Sequence, residues 1–139
     1  MTESKNGISD EERTANRLKL LDEKRNVTGR ISDTCRFIGF GLLAVFYAIK
    51  TGDGEFAKNL QTDHPNLVLV VGLLGGTAIL LDYIQYLAGS FAVDRALKTD
   101  DQLYDDSDCA YAARRLAFTG KQLAILLGVV ALIWIVLAA

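Results

Sequence analysis

Between Leu67 and Val93 the chain carries a single charged residue, Asp82, in an otherwise apolar run. At about 1.5 Å of rise per residue, a helix of this run crosses the roughly 30 Å hydrocarbon core of a bilayer and still tilts or projects beyond it. Lipid offers the backbone no hydrogen-bond partners, so a helix is the state such a segment must adopt there. Two more apolar blocks flank it, and charges avoid all three while making up 23% of the 139 residues. A soluble domain of this size would spread its charges around one core. Segregation on this scale is the mark of membrane spans.

The sequence therefore reads as an all-α integral membrane protein with three transmembrane helices, an N-terminal cytoplasmic amphipathic helix and a cytoplasmic helical hairpin between spans two and three. Residues 1–33 form the N-terminal cytoplasmic helix and residues 34–139 the membrane domain. The spans fall at about 34–50, 67–93 and 120–139, joined on the cytoplasmic side by residues 94–119. Pro65 is the one proline, so helices run without interior breaks. Ser9 and Glu12 fit a capping box at the first helix, and Ser32 and Asp33 either break that helix or let it pass straight into the first span. Span one is short, with Phe37 to Ile49 as its uninterrupted apolar part. Arg36 and Lys50 at its ends are expected to snorkel outward and lengthen it. Residues 51–66 read as a polar connection in which Asp63 caps the second span and Pro65 occupies its first turn. Past Asp94 the second helix is expected to end near Lys98 and the third to start near Ser107, after an acidic run whose role is capping and solvation.

Orientation follows from the basic residues. Eight of the fifteen lie at or before Arg36, two in the first loop and five in the second loop including Lys121. That excess places the N-terminus and the second loop in the cytoplasm and the C-terminus outside. The setting this fits is a bacterial inner membrane or a plasma membrane.

A carboxylate at the depth of Asp82 is costly, and such groups normally face a bundle interior or a water path. Gly75, Ala78, Asp82, Gln85, Tyr86 and Gly89 share one small-and-polar helical face, with Tyr83 beside it. In a symmetric oligomer this face would line a cytoplasmic vestibule, with Asp82 as a ring of carboxylates and the apolar outer half of the helix as a gate. The competing reading is a packing residue, hydrogen-bonded across helices. Gly72 and Gly76, and Gly120, Ala124 and Gly128, carry the small-xxx-small spacing that lets helices approach closely. From Arg13 to Arg36 there are seven basic and three acidic residues. Lys24, Arg25, Arg30 and Arg36, with Arg114 and Arg115 before span three, are therefore candidates for contact with anionic lipid or an anionic ligand.

Enzyme signatures are missing. His64 is the only histidine, and Cys35 and Cys109 lack metal-ligand spacing, so no metal or cofactor is expected. The Asp82–Tyr83 pair is similar to one near the quinone in three-span anchor subunits of succinate:quinone oxidoreductases. That family's haem-ligating histidine falls on Val71 here, and no family assignment follows. The leading expectation is a homo-oligomeric membrane pore or ion channel, one form of which is a gated membrane effector, for example in bacterial defence. The expected partners are the lipid bilayer, further copies of the chain, and a soluble cytoplasmic regulator or anionic ligand. The alternatives are a membrane anchor docking a soluble partner, or a small proton-coupled transporter using Asp82.

Overall fold

The computed structural model describes residues 10–98 and 109–138, all of them in helices or in short turns between helices. The Ser9 cap, the start near Ser107 and the acidic run from Asp100 to Asp108 lie outside the described residues. Among the described residues four helices follow one another: α1 (Asp10–Thr51), α2 (Glu55–Asp63), α3 (Pro65–Ala96) and α4 (Cys109–Ala138). Three of them, α1, α3 and α4, are long and apolar enough to cross a membrane. The protein is thus an all-helical, membrane-embedded chain.

Two compact units divide the chain, residues 1–33 and 34–139. In the first, the described part is helical, and Leu18, Leu20, Leu21 and Val27 are exposed on it. No break occurs at Ser32 or Asp33, because α1 continues unbroken to Thr51. Neither residue lacks a backbone N–H or clashes with the preceding turn as proline does, so the helical hydrogen bonding passes through both.

The second unit is a three-helix bundle with a small cap. Its register can be read from close approaches. Phe46 packs on Gly72, Leu42 on Gly75, and Gly39 on Gly75 and Ile79, so α1 and α3 are antiparallel. Leu74 meets Gly128 and Leu81 meets Gly120, which makes α3 and α4 antiparallel as well. Leu42 against Gly128 and Gly39 against Ile125 then make α1 and α4 parallel. The three helices alternate in direction, and Leu42, Val68, Val71, Ala78, Ala124, Ile125 and Ile135 form the buried core between them.

Glycine at 75 matters because a Cβ there would sit 2.9 Å from both the Gly39 carbonyl oxygen and the Leu42 Cβ, neither of which can swing aside. The tightest backbone approach is therefore Gly39–Gly75, not the Gly72–Gly76 pair. Gly72 makes room for the Phe46 ring, at 2.6 Å from an added Cβ, whereas Gly76 has only Leu43 Cδ2, at 4.0 Å. Gly120, Ala124 and Gly128 do lie on the packed side of α4, against Leu81, the core and Leu42 respectively.

One helix departs from the sequence reading. Residues 55–63 were expected to be a loop and instead form α2. Gly54 precedes it, Leu60 is buried to 1% exposure, and Gln61 Nε2 donates to the Ile49 carbonyl at 2.6 Å. That bond satisfies a carbonyl left over in the last turn of α1. Gly52 allows the tight turn, since a Cβ would lie 2.8 Å from the Ala48 oxygen and from Ala57 Cβ. Asp63 closes α2 rather than capping α3: the residue before α3 is His64, whose carbonyl accepts from Leu67 and Val68, with Pro65 in the first turn.

Candidate functional site

The second unit contains a cluster of three charges, one from each long helix. Asp82 on α3 is only 4% exposed. Its Oδ1 accepts a hydrogen bond from Lys121 Nζ of α4 at 2.5 Å. Its Oδ2 accepts from Arg36 Nε of α1 at 2.9 Å, with Arg36 Nη2 at 2.8 Å. Each carboxylate oxygen therefore has its own cation. Two cations thus meet one carboxylate, one at each oxygen.

The two cations differ in setting. Lys121 is fully buried, and its ammonium also lies 5.4 Å from the centre of the Phe118 ring, one turn away on α4. Such a charge is tolerable only when paired, because isolated burial costs far more than a fold can supply. Arg36 keeps a side-chain exposure of 36%. Its Nη2 donates to the Tyr86 hydroxyl at 3.1 Å, and its guanidinium carbon lies 5.4 Å from that ring's centre. A planar, multi-donor group suits this bridge between carboxylate and phenol better than an ammonium would.

Local sequence explains the arrangement. Asp82 and Tyr86 stand one turn apart on α3, so Arg36 reaches both from α1. Ala78 and Ala92, both buried, keep that side of α3 narrow. Arg36 was expected to snorkel outward; it turns inward instead, because a carboxylate on the adjacent helix repays the loss of water. Lys121 was counted with the second-loop charges and is in fact the most buried charged residue described.

The residues named for an ion path separate into two groups. Asp82 and Gln85 are enclosed within the chain's own bundle, whereas Tyr83 and Tyr86 are 65% and 53% exposed. Gln85 Oε1 is buried with no hydrogen-bond partner among the described residues. Of the basic residues named, Lys24, Arg25 and Arg30 are exposed on α1, with Arg25 paired to Asp22 at 2.6 Å; Arg114 and Arg115 are exposed on α4. Among the described residues no group of three or more His, Cys, Asp or Glu side chains is placed to hold a metal ion. No family model, curated protein or solved structure matches the chain.

Chemically, the cluster is a cross-brace. Ionic hydrogen bonds at one level of three helices fix their relative depth, because sliding any helix by one turn would strand a buried charge.

Proposed function

We propose that the protein is a homo-oligomeric membrane pore or ion channel, a gated effector that depolarises or permeabilises the membrane holding it. The observation that carries this reading is the Arg36–Asp82–Lys121 cluster, since ionisable groups inside a membrane bundle are expensive and usually mark a working element. With Asp82 occupied by both cations, the arrangement corresponds to a closed gate. Opening releases Arg36, the more exposed partner, and leaves Asp82 with Lys121 at the edge of a water path. Three helices do not enclose such a path alone, so copies must assemble around it. The basic residue distribution supports a cytoplasmic N-terminus and α3–α4 connection, with the C-terminus external. The cationic stretch from Arg13 onward then serves assembly or takes a cytoplasmic anionic regulator.

The test uses the full-length protein in planar bilayers, alongside its mass in detergent. The wild type is expected to be a stable homo-oligomer with rare openings. Arg36→Gln is expected to raise the open probability about tenfold, a bias of roughly 1.4 kcal/mol on the gate. A monomer, or a conductance that Arg36→Gln and Asp82→Asn both leave unchanged, overturns the reading.

Closure of all three charges within one chain favours a second reading, a membrane anchor that docks a soluble cytoplasmic partner. It requires co-purification of that partner and no conductance. Proton-coupled transport through Asp82, a third reading, requires pH-dependent uptake without unitary currents.

A further inference from the structure

A polar groove runs along α3 just past the ion cluster, on the side where α4 lies. Tyr86, Ser90 and Asp94 follow at four-residue intervals and so form one stripe, with about 6 Å of rise between successive members. Arg114 lies across it from α4, its Cδ 3.7 Å from the position a Cβ on Gly89 would take. These residues, with Val93 and the enclosed Gln85, line a groove of about 340 Å³.

The groove's chemistry is ordered along the helix. At the end nearer the apolar run stands the Tyr86 hydroxyl. Its oxygen already accepts from Arg36, so its own proton is directed elsewhere. In the middle, the Ser90 hydroxyl and the Arg114 guanidinium offer donors suited to an anion. Asp94, one turn further from the apolar run, supplies a carboxylate at the outer rim. Opposite charges thus line the same groove, yet no ion pair joins Asp94 to Arg114 among the described residues. Gln85 lines the inner wall of the same groove, and its Oε1 is buried without a hydrogen-bond partner among the described residues.

We propose that this groove binds the headgroup of a zwitterionic phospholipid of the phosphoethanolamine type. The phosphate sits between Arg114 and Ser90, the ammonium reaches outward to Asp94, and the glycerol end lies beside Tyr86. A two-carbon link keeps phosphate and ammonium within about one helical turn, which is the Ser90-to-Asp94 step. The acyl chains then lie along exposed apolar positions of α3 such as Tyr83 and Leu80. Phosphatidylcholine fits less well, because its quaternary ammonium has no N–H to give Asp94. Phosphatidylglycerol brings an anion without the cation that Asp94 favours.

Native mass spectrometry of the full-length protein, exchanged into detergent with equimolar amounts of the three lipids, tests this. One phosphatidylethanolamine per chain is expected to survive, about tenfold preferred over either competitor. Arg114→Gln is expected to lower retention of every phospholipid, whereas Asp94→Asn removes the preference for phosphatidylethanolamine over phosphatidylglycerol while leaving total retention intact. Both positions are exposed, so the bundle folds in either variant. Equal retention of the three lipids, or a phosphatidylethanolamine preference that neither variant alters, overturns the proposal. Retention is read without any conductance, so a protein that never conducts still tests the groove.

Discussion

Two layers of the same bundle hold the three helices together by opposite means. One is the charged layer of Arg36, Asp82 and Lys121. The other, a turn or two away, is the small-residue layer where Gly39 meets Gly75 and Gly128 receives Leu42. The glycine layer works by contact: helix backbones approach closely, and dispersion does what hydrophobicity cannot do in lipid. The charged layer works by constraint. It adds little net stability against an apolar replacement, but it penalises every register in which a partner is missing. Packing brings the helices together, and the charges decide at what height.

The largest effect that separates these layers is expected from removing one member of the buried pair. Asp82→Leu leaves Lys121 as an uncompensated buried charge and should cost about 3–5 kcal/mol, seen as a large loss of thermal stability in detergent. Lys121→Met costs less, about 1–3 kcal/mol, because Asp82 keeps Arg36. In the glycine layer, Gly75→Val forces a side chain against the Gly39 carbonyl and Leu42 and should cost about 1–3 kcal/mol. If Gly75→Val proved harmless while the charge variants unfolded, contact packing would have no share in holding the bundle. Arg36→Gln comes next, at about 1 kcal/mol, because its half-exposed guanidinium is screened and Asp82 keeps Lys121. Its effect should shrink in high salt, whereas that of Lys121→Met should not. The smallest change is expected at Gly76→Ala, within about 0.5 kcal/mol, since an added Cβ there meets only Leu43. A destabilisation as large as that of Gly75→Val would shift the close approach back to the Gly72–Gly76 pair.

Much of this was legible beforehand. The three long apolar helices follow from charge segregation, and Asp82 declares itself as the one charge in its run. Its partners were harder to see, because span prediction trims a helix where charges begin and so assigns Arg36 and Lys121 to the flanks. A signal was present all the same. Both cations stand at the same ends of their spans as Asp82 does of its own, given alternating helix direction, and a buried carboxylate needs a counter-charge at its own depth. The helix α2 was missed for a different reason. Its nine residues are mostly polar, and only Phe56, Ala57 and Leu60 mark an apolar side. What fixes it is tertiary: burial of Leu60 and the Gln61 bond to the end of α1. The spacing of small residues points to packing faces, but spacing alone does not tell Gly75, wedged against backbone, from Gly76, which faces almost nothing.

The central claim is that Asp82 and Lys121 act as one buried pair within a single chain. A double-mutant cycle on Asp82→Leu and Lys121→Met, read as thermal stability of detergent-purified full-length protein, tests it most directly. Asp82→Leu alone is expected to lose about 3–5 kcal/mol and Lys121→Met alone about 1–3 kcal/mol. The double variant is expected to recover most of the Asp82→Leu loss, because an apolar pair replaces the buried ionic one while the half-exposed Arg36 turns to water. Losses that simply add in the double variant would show that the two side chains do not meet, and would contradict the cross-brace.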